Sequence, residues 1–498
     1  MMNIIDNDLL SIQEARILAE NAGGVQAELA LFTQEQLDRI VEAMADAVEP
    51  HVEELAVLSS EETDYGNWKD KYAKDRFVCG YLREQLRGMR CVGVIGENPE
   101  KGLMDVGVPV GVIVALCPAT SPVSPTIYKA LIAVKAGNPI IFSPHPRARD
   151  TIGRALDIMI EAAEASGLPE GALSYLHTVT KSGTVELMHH PSTSLLLITG
   201  VPGMLDEAYE ARKPLIYGGA GNGPAFIERT ADVRQAVLDI ISSKTFDNGL
   251  LPAAEQSVVV DAPVAEQVRA EFMANHAYFM TECESEQLAK LIFNSDGSAN
   301  TTLVGVTAET LAKRAGFSIP PETVLLVSEQ KYASQENPYA REKLAPVVAF
   351  FIEDDWEHAC EKCIELLLKD RRGHTLVIHS TDGDVIRQFM LRKPVGRILV
   401  NTPATFGSMG ASTNMFPAMT LGSGSSGLGI TSDNVSPRNL IYVRKVGFGV
   451  RSVETADREF FGRDRLPDKP RIKTQDIETA EQVRVIQGLL REAVEQKN

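Results

Sequence analysis

The stretch from Leu195 to Leu205 has the residue types of a phosphate-binding turn. An apolar run, LLLIT, is followed by Gly200, by Gly203 and then by a segment of helical character. Glycines at such a turn let the backbone approach a pyrophosphate, and the N–H groups that open the helix supply hydrogen-bond donors. Because a Gly-x-x-Gly pair occurs at many strand–helix turns, this motif alone indicates a nucleotide site only weakly.

A second glycine-rich segment, GGAGNG from Gly218 to Gly223, is equally ambiguous by itself. It lacks the Lys-Ser/Thr pair that follows the glycines of a P-loop, so the sequence gives no support for ATP hydrolysis. The chain also has no G-x-S-x-G nucleophile elbow and no H-E-x-x-H motif. Neither an α/β-hydrolase nor a zinc protease is therefore indicated.

Cys360 and Cys363 form a C-x-x-C pair with His358 close by. A closed zinc site needs four ligands, and no second Cys or His pair follows at ligand spacing. Both cysteines lie in the amphipathic stretch DDWEHACEKCIELLLKD, so we predict that they pack on a helix. His189 and His190 lack a pattern of neighbouring ligands and are predicted to lie at a helix end.

The elements that must position these motifs alternate between strand and helix. Up to about residue 90, apolar residues recur at helical spacing, as from Leu37 to Val48. From Cys91 a β-branched, glycine-punctuated pattern predicts strands and a hairpin. Further strands are predicted at 111–116, 139–143, 194–199 and 257–261, and helices at 124–136, 148–165, 231–244 and 265–276. The alternation predicts a parallel sheet covered by helices, and the glycine-rich stretch 406–429 predicts a functional or interfacial loop.

Composition bounds the class of protein. The 498 residues carry a net charge of −18, whereas a nucleic-acid-binding chain normally has a basic surplus. No run of 18 apolar residues occurs, the N-terminus lacks the order of a secretory signal, and six irregularly spaced cysteines do not make a disulfide framework. We therefore expect a cytoplasmic protein of two or three domains without a nucleic-acid or membrane partner.

Several segments, taken in order, resemble the aldehyde dehydrogenase superfamily, and most of all its CoA-acylating branch, which includes the aldehyde half of bifunctional aldehyde–alcohol dehydrogenases. They include PATSPVSPTIYKAL, NPIIFSPHPRA, LLLITGVPGM, GGAGNGP, SKTFDNG and the loop PAMTLGSGSSGLGITSDNVSPRNL. The resemblance implies an α/β fold with a Rossmann-like cofactor domain, an α/β catalytic domain and a small oligomerisation hairpin. The predicted parts are an NAD(P)-binding domain at 1–241 with the hairpin at about 91–110, a catalytic domain at 242–440, a return segment at 441–466, and a linker and tail helix at 467–498.

The same resemblance implies roles for particular residues. They are Ser143, Pro144, His145 and Pro146 at the adenosine of NAD or NADP, Gly200 and Gly203 at its phosphates, Gly219 and Gly221 beside the nicotinamide, and Glu342 at the nicotinamide ribose. His374 matches the histidine that assists the CoA half-reaction in related enzymes. NAD or NADP is the implied cofactor, coenzyme A the co-substrate, and a small aldehyde or acyl-CoA the substrate.

Two positions depart from the pattern of the family. Pro252 stands where the family has its nucleophilic cysteine, and Ser121 stands where an asparagine amide donates to the oxyanion. The chemistry needs a thiolate that forms a thiohemiacetal, from which hydride leaves for the nicotinamide. Cys117, four residues before Ser121, is the candidate for a displaced thiol; the alternative is that it is a small buried apolar residue.

Three functional hypotheses remain open from the sequence. The first is an acylating NAD(P)-linked oxidoreductase that works through a displaced nucleophile or a hydrated aldehyde. The second is a catalytically inactive or repurposed homologue that keeps nucleotide or CoA binding and acts as a binding or structural subunit. The third, hydration or hydrolysis in the same pocket, needs an acid–base pair that the sequence does not reveal.

The C-terminal stretch starts with a Pro- and charge-rich linker and ends in a predicted amphipathic helix at 476–494. Its apolar stripe is too narrow to form a core alone and must pack on something. One interpretation is packing within a homodimer or homotetramer. The other, implied by the resemblance, is docking into a protein-shelled bacterial microcompartment.

Overall fold

The computed structural model of the chain describes residues 6–219, 221–294, 298–334, 337–369, 374–463, 481–485 and 487. The helices are α1 Asn7–Leu29, α2 Gln34–Val48, α3 Val52–Thr63, α4 Trp68–Phe77, α5 Arg83–Leu86, α6 Val123–Lys135, α7 Arg149–Ala165, α8 Lys181–His189, α9 Leu205–Glu210, α10 Val233–Thr245, α11 Ala265–Ala274, α12 Glu282–Ile292, α13 Ala308–Ala315, α14 Trp356–Lys369, α15 Gly383–Arg392, α16 Ala404–Ser408 and α17 Val453–Ala456. The strands are β1 Gly93–Asn98, β2 Leu103–Pro109, β3 Val112–Leu116, β4 Ile140–Ser143, β5 Leu173–Tyr175, β6 Thr193–Thr199, β7 Leu215–Gly218, β8 Pro224–Ile227, β9 Ser257–Asp261, β10 Ala277–Phe279, β11 Leu325–Glu329, β12 Val347–Glu353, β13 Thr375–His379, β14 Arg397–Val400 and β15 Ile441–Gly447.

Helix α2 shows how local sequence produces an element and its packing. It begins at a capping box, in which Thr33 and Gln36 each accept a hydrogen bond from the other's backbone N–H through their side chains. Its apolar residues share one face and are all buried: Leu37, Ile40, Val41, Met44 and Val48. That face packs against α6 and α7, which in turn cover the five-stranded sheet described next.

Among the described residues, five parallel strands form a sheet in the order β5-β4-β3-β6-β7. The chain runs from β3 to β4 and β5 on one side and returns to β6 and β7 on the other. The order therefore reverses between β3 and β6, and their carboxyl ends open a crevice of the kind that binds dinucleotides in Rossmann-like folds. This confirms the predicted Rossmann-like part of the α/β fold.

A second parallel sheet has seven strands in the described residues, in the order β10-β11-β12-β9-β8-β13-β14. Strands β8, β9, β12 and β13 are almost wholly buried because helices cover both faces. The linker from Gly219 to Gly223 joins the last strand of the first sheet to β8. It therefore leads from the carboxyl edge of one sheet to the amino edge of the other.

Strands β1, β2 and β15 form a third sheet in that order. The chain divides into two compact units, Met1–Ile95 with Asp105–Arg444, and Gly96–Met104 with Lys445–Asn498. The first unit contains both large sheets, and the predicted boundary between residues 241 and 242 stays a prediction. Within the second unit the N–H of Phe448 donates to the carbonyl of Gly102.

The predicted strands and helices named above are confirmed with bounds shifted by one or two residues. Cys360 and Cys363 lie buried in α14, and His189 ends α8 with His190 as its cap, as predicted. The stretch 406–429 is largely irregular after α16. Most of the predicted tail helix lies outside the described residues, of which 481–485 and 487 are helical. No helix in the described part of the chain is long and apolar enough to span a membrane.

Candidate active site

The carboxyl ends of β3 and β6 meet at the turn 118–121 and at Gly200. A Cβ built on Gly200 would lie 3.2 Å from Cβ of Pro118, and the φ of Gly200 is +63°. Both observations favour glycine at this position, because a side chain would be strained and crowded. A Cβ on Gly203 would meet nothing within 4 Å, so the backbone there is open to a ligand.

The predicted adenosine-binding residues follow β4 at the same edge of the sheet. The hydroxyl of Ser143 lies 2.8 Å from that of Thr184, and Nδ1 of His145 accepts a hydrogen bond from the N–H of Arg147. Burial, with the charge of Arg147, lowers the pKa of His145. Pro144 and Pro146 fix the backbone on either side of His145. The structure thus brings the four residues together, and their role stays a prediction.

The glycine linker after β7 is packed closely. A Cβ on Gly219 would lie 2.7 Å from the ring of Tyr217, and its N–H donates to Ser423 Oγ. A Cβ on Gly221 would lie 1.7 Å from the carbonyl oxygen of Pro252 and 3.1 Å from Nε2 of His374. Only glycine fits at position 221, because the backbone there lies against both Pro252 and His374.

Glu342 reaches the same point from another part of the chain. Its Oε1 accepts a hydrogen bond from the N–H of Gly221 at 2.6 Å. His374 is buried, and its Nδ1 lies 2.8 Å from the hydroxyl of Thr375. Burial, aided by the charge of Arg397, lowers the pKa of His374 to about 3, so its imidazole is neutral at physiological pH.

The Ser121 side of the crevice is held by buried charges. Nζ of Lys74 donates to Ser121 Oγ at 2.5 Å and to Asp247 Oδ2 at 2.5 Å. Nζ of Lys71 donates to the carbonyl of Thr120 at 2.8 Å and lies 3.3 Å from the same Asp247 oxygen. Burial acts to raise the pKa of Asp247, but Lys74 and Lys71 outweigh it and the pKa is lowered.

These contacts form a ring of neighbouring segments that includes both Ser121 and Pro252. Pro118 touches Gly200, and the N–H of Gly200 donates to the carbonyl of Gly218, where the linker begins. The linker reaches Pro252, which lies five residues after Asp247, and Asp247 returns through Lys74 to Ser121. We call the segments around Ser121 and around Pro252 the Ser121 wall and the Pro252 wall, and both lie within one compact unit.

No thiol of the chain joins this ring. Cys117 is 1% exposed and lies in the apolar core beneath the first sheet. Of the other cysteines, Cys79, Cys91, Cys360 and Cys363 are buried elsewhere and Cys283 is exposed on α12. A catalytic thiolate must be partly exposed, so the position of Cys117 fits the packing alternative better than that of a displaced nucleophile.

The model of the aldehyde dehydrogenase family matches residues 7–434. The chain belongs to the aldehyde dehydrogenase family. It is 38% identical over 88% of its length to the bifunctional aldehyde-alcohol dehydrogenase AdhE of Escherichia coli K12, of which it covers 49%. The chain thus spans about half the length of this relative.

Two solved structures extend the comparison. A probable aldehyde dehydrogenase from Listeria monocytogenes shares 45% identity with a TM-score of 0.88, over 91% of this chain and all of that one. A propionaldehyde dehydrogenase from Rhodopseudomonas palustris shares 25% identity with a TM-score of 0.79, over 87% of this chain and 97% of that one. The latter structure holds CoA and an acylated cysteine.

Sequence reasoning missed a second group of buried residues in this aldehyde dehydrogenase family member, next to the Pro252 wall. Nζ of Lys244 donates to Gln256 Oε1 at 3.0 Å and to the carbonyl of Lys343 at 2.8 Å. Burial lowers the pKa of Lys244 to about 7, despite the opposing charges of Glu255 and Glu342. Burial likewise raises the pKa of Glu255 to about 7, although Oε1 of Glu255 accepts from the N–H of Ala404.

Lys71 and Lys74 were missed as well. Their stretch, WKDKYAKDRF, has no continuous apolar stripe, and nothing in it distinguishes a buried lysine from a solvated one. A weak signal is the spacing of three residues, which places both lysines on one face of α4. Their burial follows only from the packing of α4 against α6 and the segment around Asp247.

Proposed function

We propose that the chain is an NAD(P)- and CoA-dependent oxidoreductase of the acylating type, acting between a small aldehyde and its acyl-CoA. The observation that carries the proposal is the convergence of Gly221, Pro252 and His374 at one point of the crevice. The family membership and the CoA held by the Rhodopseudomonas relative support it. The substrate's identity and the preference for NAD or NADP are left open.

The carboxyl edge of the five-stranded sheet fits a dinucleotide. Gly200 has the positive φ of a tight turn, and Gly203 presents backbone that no side chain covers. The chain order reverses at this edge, which is where such folds bind their ligands. Gly200 and Gly203 would hold the phosphates, with residues 143–146 at the adenosine and Glu342 toward the nicotinamide ribose.

The chain's own contribution to the chemistry lies at the Pro252 wall. When bound, the nicotinamide supplies a hydride acceptor and CoA supplies an acyl acceptor. His374 is neutral with a pKa lowered to about 3, which makes it a weak base, so its imidazole can hydrogen-bond to a thiol or a hydrated aldehyde and position it. Glu342 accepts a hydrogen bond from the N–H of Gly221 and so holds the linker against His374 and Pro252.

A second candidate function is favoured by Pro252 itself. Proline has no nucleophilic side chain, and none of the six cysteines joins the ring of contacts around the crevice. A homologue that binds dinucleotide or acyl-CoA without turning them over would look the same in its fold and crevice. This alternative describes a binding or structural subunit.

Titration calorimetry with NAD, NADP and CoA, alongside NAD(P)H absorbance with an aldehyde panel, separates the two candidates. For the oxidoreductase we expect NAD(P)H formation that depends on CoA, and a melting temperature that rises with added dinucleotide. Binding without turnover selects the binding subunit. A protein that binds none of the three ligands contradicts both candidates.

Pro252→Cys tests how far the Pro252 wall still resembles a thiolate site. Gly221 contacts the backbone carbonyl of Pro252, so replacing the side chain leaves this packing in place. We expect the variant to gain aldehyde-dependent NAD(P)H formation above the wild-type level, with Pro252→Ala as the matched control. A folded Pro252→Cys protein that binds dinucleotide but gains no activity would show that the pocket is remodelled beyond this residue.

Self-association and the tail form the remaining part of the proposal. The chain forms a homodimer or homotetramer, and the tail after 467 packs within it or docks into a microcompartment shell. Deleting residues 470–498 distinguishes the two roles of the tail. Loss of stability or of oligomer mass indicates packing, whereas an unchanged oligomer and melting temperature indicate docking.

A further inference from the structure

His374 and Thr375 form a buried pair whose hydrogen-bond directions follow from their neighbours. Both residues are 2% exposed, and Nδ1 of His374 lies 2.8 Å from Oγ1 of Thr375. The contact by itself fits donation in either direction, because a neutral imidazole carries its one ring hydrogen on Nδ1 or on Nε2. The other groups around the pair decide between these two tautomers.

Arg397 determines the direction of the Thr375 hydroxyl. Its Nη1 lies 3.0 Å from the carbonyl oxygen of His374 and 3.5 Å from Oγ1 of Thr375. A guanidinium group has no lone pair and can only donate, so Oγ1 presents a lone pair to it. Among the described residues, the hydrogen-bond partners of Oγ1 are Nη1 of Arg397 and Nδ1 of His374. The hydroxyl hydrogen therefore has one acceptor within reach, which is Nδ1.

The opposite arrangement leaves a buried hydrogen without an acceptor. If Nδ1 carried the ring hydrogen and donated it to Oγ1, the hydrogen of the Thr375 hydroxyl would point at a cation or into the protein interior. An unsatisfied buried donor is costly, so the hydroxyl donates to Nδ1. Burial lowers the pKa of His374 to about 3, so the ring is neutral and its one hydrogen is on Nε2.

The surroundings of Nε2 favour the same tautomer. A Cβ built on Gly221 would lie 3.1 Å from Nε2 of His374 and 1.7 Å from the carbonyl oxygen of Pro252, so this nitrogen and this oxygen lie near the same point. The carboxylate of Glu342 also reaches Gly221 and accepts its N–H. Both oxygens are acceptors, so they attract an N–H on Nε2 and would repel a lone pair there.

We infer that Thr375, oriented by Arg397, is a positioning residue that keeps the ring hydrogen of His374 on Nε2, so that His374 meets the sulfur of bound CoA as a hydrogen-bond donor. In the proposed function the sulfur is the atom of CoA that accepts the acyl group, so it is the atom expected at the Pro252 wall. The contact with sulfur rests on the proposed function, whereas the tautomer does not. Such a donor holds the sulfur and favours its thiolate form, but it does not remove the proton of the thiol.

Magic-angle-spinning NMR of the full chain with ¹⁵N-labelled histidine shows which ring nitrogen carries the hydrogen. At pH 7 we expect the His374 signals, assigned by their loss in His374→Leu, to show a protonated Nε2 and a bare Nδ1. In Thr375→Val, which lacks the hydroxyl, the Nδ1 signal moves toward that of a nitrogen that accepts no hydrogen bond, while Thr375→Ser keeps the wild-type signal. Thr381→Val, at an exposed threonine just beyond β13, is the matched control and leaves the signal unchanged.

Titration calorimetry with CoA and with desulfo-CoA, in which a hydrogen replaces the thiol, tests the contact with sulfur. We expect the wild type to bind CoA about tenfold more tightly than desulfo-CoA, the ratio expected of one hydrogen bond. The ratio falls toward one in His374→Leu and falls in Thr375→Val, because the ring is no longer held. Thr375→Ser and Thr381→Val keep the wild-type ratio.

The outcomes separate the tautomer, the contact with sulfur and the proposed function. A ring hydrogen on Nδ1 in the wild type, or an unchanged Nδ1 signal in a folded Thr375→Val protein, overturns the inference and leaves the proposed function standing. Equal affinities of the wild type for CoA and desulfo-CoA overturn the contact with sulfur. A wild type that binds neither of them, and no dinucleotide, overturns the proposed function, and NMR still decides the tautomer. If Thr375→Val does not fold, the wild-type signals decide the tautomer and His374→Leu decides the contact.

Discussion

The Ser121 wall and the Pro252 wall both contain buried lysines, but the groups that these lysines contact differ. On the Ser121 wall, Lys74 and Lys71 share the carboxylate of Asp247. On the Pro252 wall, the acceptors of Lys244 among the described residues are an amide oxygen and a backbone carbonyl, and burial lowers its pKa to about 7. Burial also lowers the pKa of Lys71, but only to about 8, because the facing carboxylate of Asp247 offsets part of the cost of desolvation.

The difference extends to the carboxylates. Asp247 has a lowered pKa because two cations face it, whereas burial raises the pKa of Glu255 to about 7. The Ser121 wall therefore carries charge at neutral pH, although burial lowers the pKa of Lys71 to about 8. The Pro252 wall, with His374 neutral and Glu255 near its midpoint, changes protonation in that range.

The largest expected effect comes from removing the shared carboxylate. Asp247→Asn keeps the shape of the side chain, and asparagine tolerates the left-handed backbone at this position, where φ is +49°. The change removes the carboxylate that both buried lysines contact, so we expect a loss of about 3–5 kcal/mol in the free energy of unfolding. Urea denaturation at pH 7 measures it.

Glu329→Gln is the matched control for that change. It also breaks an ion pair, but Glu329 and its partner Arg269 lie at the surface. We expect a change of about 1 kcal/mol or less. Equal losses in the two variants would mean that the buried cluster is no more important to folding than a surface pair.

A smaller effect is expected at the other wall and depends on pH. Because the pKa of Glu255 is raised, the folded protein holds a proton that the unfolded chain releases between pH 4.5 and about 7. The resulting stability is fully present below pH 4.5 and is lost as the pH rises through 7. Glu255→Gln removes this dependence, so the wild type should lose roughly 2 kcal/mol relative to the variant between pH 5 and pH 8.

The contribution of Lys244 to the free energy of unfolding changes with pH in the opposite direction, and it does so over a higher pH range. Its pKa is about 7 in the folded protein and near 10.5 in the unfolded chain, so its cost to stability is present below pH 7 and is relieved as the pH rises toward 10.5. Comparing pH 5 with pH 8 therefore reports mainly on Glu255. Glu266→Gln, at an exposed position of α11, is the control, and a difference of the same size there would contradict the assignment.

The smallest effect concerns the thiols. Cys283 is the exposed cysteine, while burial raises the pKa of Cys79, Cys91 and Cys363. We expect iodoacetamide at neutral pH to label Cys283 first, and Cys283→Ser to abolish rapid labelling without changing stability. Peptide mass spectrometry identifies the site. If iodoacetamide instead labels Cys117 rapidly, and substrate blocks this labelling, Cys117 is again the candidate nucleophile.

The parts of the site that depend on the chain's local order were predictable from sequence. A strand followed by Gly200 and Gly203 requires a tight turn, whatever packs around it, and the structure has that turn at the carboxyl end of β6. The helices and strands of the Rossmann-like part follow from hydrophobic periodicity. The departures at Pro252 and Ser121 are predicted from the motifs that surround them, and they stay predictions.

The buried charges were not predictable in this way. Lys71 and Lys74 lie more than 170 residues before Asp247 in the chain, and the sequence of their helix does not indicate that other segments will bury it. The same holds for Lys244 and Glu255, whose pKa values depend on desolvation by elements far away in sequence. A side chain's own type fixes its charge in water, but not its charge in the fold.

The sequence by itself determined the family and the parallel sheets, because these follow from residue types and their order. The tertiary structure alone decided that Gly221, Pro252 and His374 converge, and that Ser121 accepts a hydrogen bond from a buried lysine. The physical reason is desolvation. Which groups are taken out of water, and against which partners, is set when distant segments pack together.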